Sequence, residues 1–253
     1  MNRVLRREPL LLALAVVHLA LFLVCLMLAA VDPRVVTGVN AWFKPAKFTL
    51  SVAVYLFTMA CLLAPLERAL RGLSAARAVI AFSMAAEIAI IGVQGARGAP
   101  SHFNTATPLD AALFGIMGAL IAMNTLAAAW VLWAYGESPP ELPEPLLPAV
   151  RLGLAIFILA SLAGFLMVAR GAHTVGAPDG GRGVFFLNWS LTHGDLRIAH
   201  FLGLHALQGL PAVAWLSASR RAVWMAAGLW FALFLFTLAL ALAGRPLLAL
   251  PAR

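Results

Sequence analysis

The sequence predicts an all-α integral membrane protein, a seven-transmembrane-helix bundle with a long glycine-rich loop between helices 5 and 6. Three observations predict it. The 253 residues are 63% hydrophobic and 11% charged, with a mean hydropathy of +0.94, far from the composition of a soluble domain. Apolar windows recur near the ~20 residues that a helix needs to cross the hydrocarbon core. Between the fifth and sixth windows, Gly171-Ala-His-Thr-Val-Gly-Ala-Pro-Asp-Gly-Gly-Arg-Gly is too glycine-rich for a helix and too long for a simple turn.

The first window, about 10–31, follows Arg3, Arg6 and Arg7, and its apolar run exceeds the ~7–15 residues of a signal-peptide core, so it is read as a retained anchor. The second window, about 48–66, opens near Pro45, a residue suited to a helix start, and the third covers about 78–96 with Glu87 halfway along it. The fourth runs over about 111–135, with Asp110 placed near its N-cap. A proline-rich acidic linker, 136–145, leads to the fifth at about 149–169, followed by the glycine-rich loop. The aromatic cluster Phe185, Phe186 and Trp189 in that connection is expected to form an ordered lid at the bilayer interface. The sixth window covers about 198–217 and the seventh about 222–243, the latter without an ionisable residue. Residues 1–253 are read as one transmembrane domain.

A net charge of +8 suggests nucleic acid in a soluble chain, but these cations sit singly or in pairs at the ends of apolar runs, where they meet lipid headgroups. The expected partners are the bilayer and a small-molecule or lipid-like ligand, not nucleic acid. When loops are assigned alternately, the 18 Lys and Arg divide equally between the two faces. The clusters Arg3/Arg6/Arg7, Arg68/Arg71/Arg77 and Arg220/Arg221 share one face, which predicts a cell inner-membrane protein with a cytoplasmic N-terminus and an outer C-terminus. Seven crossings place the loops 32–47, 94–110 and 170–195 on the opposite face. Cys25 and Cys61 fall inside windows, so a disulfide framework is excluded and both read as small apolar residues.

The chemistry-bearing residues concentrate in those three loops. His193, Arg197, His200, His205 and Gln208 fall within roughly 140° of one helical stripe, and such a stripe turns away from lipid toward a cavity. His102, His193, His200 and His205 are candidate metal ligands, with His173 a further possibility, because neutral imidazole binds zinc, iron and copper. His200 and His205 diverge by about 140°, so a divalent metal needs ligands from several segments, with Asp110 or Asp195 supplying a carboxylate. A bis-histidine haem b using His102 with His200 or His205 is a lesser alternative.

Glu87 must be protonated or paired at its depth, either with His18 or by bonding a carbonyl or Ser83. Gln94 and Arg97 continue a polar track from it toward the loop. Lys47, in a first helical turn where a cation opposes the helix dipole, calls for a negative partner: lipid phosphate, Asp110, Asp195 or an anionic substrate. The third and fifth windows both end in Ala-Arg-Gly-Ala, which reads as a basic last turn with a glycine cap.

In architecture alone, seven helices with His, Ser and Asp near one face resemble the alkaline ceramidase and adiponectin-receptor-type zinc hydrolases. Those families place HxxxH in their final helix, whereas this chain has His200 and His205 five apart in the sixth, so no residue role transfers. Two readings follow. In the first, a metal-dependent membrane-embedded hydrolase or oxidoreductase uses His102, His193, His200 and His205 as ligands and Glu87, Asp195 and Arg197 in catalysis. Lys47, Gln94, Arg97, Asp110 and Gln208 then bind substrate. In the second, a proton-coupled carrier or small-solute binding module uses Glu87, Gln94 and His18. A non-catalytic membrane subunit or assembly factor is a third, since nothing in the sequence compels turnover.

Overall fold

The computed structural model describes residues 2–67 and 70–248; of the arginines grouped above, Arg68 and the side chain of Arg3 lie outside the described residues. The chain begins with a short helix, α1 (Asn2–Arg7). Among the described residues six helices are long and apolar enough to cross a membrane: α2 (Pro9–Val31), α3 (Phe43–Leu63), α4 (Leu73–Arg97), α5 (Pro108–Glu137), α6 (Leu146–Arg170) and α8 (Arg220–Leu242). This is the architecture of a multi-pass membrane protein. The helix α7 (Leu196–Ser217) has 22 residues but is not among the six. Arg197, His200, His205 and Gln208 lower its hydropathy, so only six of the seven expected spans stand on apolarity. Two compact units divide the chain, Met1–Ala134 and Tyr135–Arg253.

In the first unit α3 is the interior helix: 56% of its most apolar window is buried, against 22% for α2. Ala46, Ala53 and Ala60, spaced by seven, are all buried and let neighbouring backbones approach. Polar clamps fix both ends of the unit. At one end the Arg7 guanidinium donates to the Ala64 and Leu66 carbonyls beyond α3, at 3.1 and 2.8 Å, as suits a cation at a helix C-terminus. Beside it Glu8, fully buried, is held in bidentate fashion by Arg77 at 2.5 and 2.6 Å. At the other end a two-stranded hairpin, β1 (Val35–Val36) and β2 (Val39–Asn40), turns through Thr37 and Gly38, both with positive φ. Asp32 accepts from Arg34 and from Trp42 Nε1 there, and Arg34 also reaches the Ala96 carbonyl of α4 at 2.9 Å. Those hydrogen bonds from Arg34, then Trp42, hold the Asp32 carboxyl far below the usual carboxylate range. Inside the unit the buried Tyr55 hydroxyl donates to Asn124 Oδ1 at 3.0 Å, joining α3 to α5.

In the second unit α7 packs between α6 and α8 through small residues. A Cβ on Gly153 of α6 would stand 2.9 Å from the Ala206 carbonyl oxygen, and one on Gly203 of α7 would reach 3.0 Å from Phe234 of α8. Ala149, Ile156, Ala206, Leu210, Ala214, Val223 and Ala227 form a continuous buried cluster across the three helices. Trp230 Nε1 donates to the Leu202 carbonyl at 2.7 Å, satisfying a half-buried indole across the α7/α8 seam. At one end Arg220 meets Glu144 at 3.2 Å. At the other, the strands β3 (Thr174–Val175) and β4 (Gly194–Asp195) pair antiparallel, with Gly194 against the Ala241 backbone of α8.

Candidate functional site

The 171–195 loop is an ordered structure built on one carboxylate. Asp195 is the N-cap of α7: its side chain accepts from the Arg197 amide at 3.0 Å, satisfying a free donor of the first helical turn. The same carboxylate binds Arg197 Nε and Nη2 at 2.9 and 2.6 Å and the Ser190 amide at 2.8 Å. Arg197 Nη2 also donates to the Asn188 carbonyl, closing the loop over the helix start. Phe186 and Asn188 take positive φ in the intervening 182–191 turn, which is pinned by the Val184 amide on the Trp189 carbonyl and the Leu191 amide on the Arg182 carbonyl. Phe185 is 84% exposed, while the Trp189 ring lies edge-on to Phe201 of α7 at 5.3 Å. The aromatic cluster is therefore split between an outward Phe and an inward Trp.

Beneath this turn lies a cavity of about 370 Å³ bordered by His173, Asp179, Gly180, Asn188, His193 and Arg197, among others. Asp179 accepts from the His173 and Thr174 amides at 3.3 and 2.9 Å and lies 3.1 Å from His173 Nδ1. His193 is braced by the Thr192 hydroxyl at 2.9 Å and, through its amide, by Ser190 Oγ at 3.0 Å. Burial pushes the Asp195 carboxyl up, but the Arg197 hydrogen bonds and charge, the Ser190 amide and the charge of His173 outweigh it and hold the group below its ordinary value. Asp195 is thus an ionised anchor with both oxygens engaged. Of the five guanidinium donors of Arg197, those of Nε and Nη2 are committed, while Nη1 has no partner among the described residues and the side chain borders the cavity.

The remaining candidates on the stripe separate. The helix starts at Leu196, so His193 belongs to the loop and not to the helical stripe. His200 Nδ1 lies 2.7 Å from the Ala160 carbonyl of α6, with its ring seated against Gly164, where a Cβ would come within 2.8 Å. That imidazole joins two helices. His205 pairs with Gln208 at 3.2 Å and stacks edge-on with Phe201 at 4.2 Å. In the first unit His102 sits among Phe48, Phe103 and Phe114, with Ser101 Oγ 3.1 Å from its Nδ1. Among the described residues no three His, Cys, Asp or Glu side chains gather into a group able to hold a metal ion. Within the second unit His193, His200 and His205 each have a neighbour of their own, and a shared ion needs lone pairs aimed at one point.

Gln94, Arg97 and Asp110 do come together. Gln94, fully buried, donates to Asp110 Oδ1 at 2.8 Å, and Arg97 Nη1 donates to the same oxygen at 2.8 Å and to Gln94 Oε1. Thr107 Oγ1 donates to Asp110 Oδ2 at 2.6 Å and accepts from the Asp110 amide at 3.1 Å, which makes Thr107 the cap that the sequence reading gave to Asp110. These groups satisfy one another and lock the loop between α4 and α5. Lys47, the fifth residue of α3 and past its first turn, is half-buried, and Lys44 lies 5.9 Å from the centre of the Phe48 ring. Glu87 is 3% exposed, and its Oε1 has no hydrogen-bond partner among the described residues. Neither expected partner is used: His18 bonds the Leu14 carbonyl at 2.6 Å, and Ser83 donates to the Val79 carbonyl at 2.7 Å.

Sequence reasoning missed Asp179, whose signal was the Pro178-Asp-Gly-Gly turn, and Asn188 and Ser190, which act mainly through the backbone. It also read Arg7 and Arg77 as topology signals alone, although each has a structural partner. No family model, curated protein or solved structure matches this chain.

Proposed function

We propose that this chain is a membrane-embedded binding module that takes a small solute bearing an anionic group, a carboxylate or a phosphate, into the pocket of the 171–195 loop. The observation that carries the reading is the half-used guanidinium. Asp195 and the Asn188 carbonyl fix the plane of Arg197, which borders the cavity, so its two uncommitted Nη1 donors can meet an anion there with little loss of side-chain freedom at the moment of binding. His193 and the amides of the Gly180-Gly181 turn supply further donors around the space. The oxygens of Asp179 and Asp195 are already bonded, which lowers their repulsion toward an anion.

The module is proposed to sit on seven crossings, with α7 the sixth. At about 1.5 Å per residue α7 is about 33 Å long, and within its unit it connects the end carrying Glu144–Arg220 to the end carrying β3 and β4. It therefore runs alongside α6 and α8, both apolar enough to span, with its polar side chains turned to the protein or the loop.

Titration of the detergent-purified full chain with potassium phosphate and potassium succinate, against potassium chloride of equal ionic strength, tests the pocket. A saturable rise in unfolding temperature with either anion is expected, and Arg197→Gln should weaken it by about 10- to 100-fold, the worth of a charge-assisted hydrogen bond. His193→Ala leaves the Asp195–Arg197 pair intact and should weaken it less. Equal stabilisation by chloride, or saturable binding unchanged in both variants, overturns the assignment.

A further inference from the structure

Glu87 lies outside the loop pocket, in the other unit, and its surroundings pose a separate chemical question. It occupies the buried face of α4 with Ile80, Met84, Ile88 and Ile91, close to the middle of a 25-residue span. Its carboxyl is almost without solvent contact, yet Oε1 accepts no hydrogen bond from any described residue. Every polar side chain nearby on its own helix is committed elsewhere: Ser83 to the Val79 and Ile80 carbonyls, Gln94 and Arg97 to Asp110. On α2 the partner expected from the sequence, His18, is tied to the Leu14 carbonyl. On α3 Lys44 acts on Glu87 through its charge from the first turn of that helix, and it lies near the Phe48 ring.

A carboxylate in that position leaves a charged oxygen bare in an apolar span, which costs several kcal/mol, whereas the carboxylic acid removes the charge and keeps the packing. We propose that Glu87 is a proton-binding site in the membrane interior, its carboxyl holding a proton at neutral pH and releasing it to water only when a cation or donor comes to Oε1. The exchange is a simple ionisation: the O–H bond breaks, the electron pair stays on the carboxylate, and the proton leaves. Lys44, on a flexible four-carbon stem at the head of α3, is the cation in position to compensate the charge so formed.

Reaction of the purified full chain with the apolar reagent dicyclohexylcarbodiimide tests the proposal. The acid O–H adds across one C=N bond, with the proton on nitrogen and the carboxyl oxygen on the central carbon. Migration of the acyl group to nitrogen then leaves a stable N-acylurea with no leaving group, so the peptide gains the mass of one reagent molecule. Expected are an adduct on the Glu87 peptide at neutral pH, its loss at alkaline pH, little adduct with a water-soluble carbodiimide, and none in Glu87→Gln. A folded protein that gives no adduct at Glu87, or one labelled equally by the water-soluble reagent, overturns it. An infrared carboxylic-acid C=O band that shifts in D2O and vanishes in Glu87→Gln is the second readout, and its absence from the unsubstituted chain also overturns the assignment.

Discussion

At Asp195 two carboxylate oxygens accept from the Arg197 amide, the Arg197 guanidinium and the Ser190 amide, so one residue caps α7, orients the cation and fastens the loop. Its ionised form is favoured by folding, which fixes the sign of the pH effect. A carboxyl held lower in the folded chain than its unfolded value of about 3.9 stabilises at every pH above that value, and the contribution is lost as pH falls through the folded value. Asp195→Asn keeps the shape but leaves Arg197 without its counter-charge; a loss of about 3 kcal/mol is expected. Hydrogen exchange at residues 188–197 should accelerate at neutral pH and lose its acid dependence. Unchanged protection there would remove Asp195 from the role of anchor. The partners of this residue were only partly legible. Asp195 and Arg197 were singled out from the sequence as a metal carboxylate and a catalytic cation, not as a cap and its partner, and Asn188 and Ser190 contribute backbone groups that no sequence pattern marks.

Helices were read well because hydropathy and caps act locally. The two Ala-Arg-Gly-Ala stops end at glycines with φ of +67° and +64°, each followed by an alanine amide bonded back to Gln94 or Met167, a Schellman closure that the tetrapeptide alone foretells. The start of α3 was placed late, since Phe43 and Lys44 precede the apolar run. The polar stripe was misjudged at its head, where the helix begins only at Leu196, and His200 found a backbone carbonyl on another helix, a partner with no side-chain signature. Between α6 and α7 the decisive residues are the small ones. Gly153→Ala drives a methyl to 2.9 Å from the rigid Ala206 carbonyl oxygen, so the seam must open. A loss of about 1–3 kcal/mol is expected, visible as a lower unfolding temperature in detergent. Gly228→Ala, where the added carbon meets nothing within 4 Å, is the matched control and should be neutral or stabilising.

Across the molecule, exposed Leu, Val, Phe and Met along α2 and α8 are explained by lipid, and the six apolar helices account for the composition that marked a membrane protein from the outset. The seventh crossing is checkable with single cysteines in a Cys25→Ala, Cys61→Ala background. Phe185→Cys in the loop before α7 and Ser217→Cys at its last residue should react with an impermeant maleimide from opposite sides of sealed vesicles. Reaction of both from one side would remove α7 from the spans. Long-range pairing was the least legible level, because hydropathy says where a segment lies and nothing about which charge meets it. Glu8 and Arg77 are 69 residues apart, and nothing near either names the other.

That pair bears on how the chain is made. Glu8 is shut away from water by the finished packing, and its counter-charge belongs to the third span, 69 residues further along the chain. Its carboxylate is buried only in company, so the first anchor reaches its finished seat when Arg77 meets it, and the opening three spans close as a set.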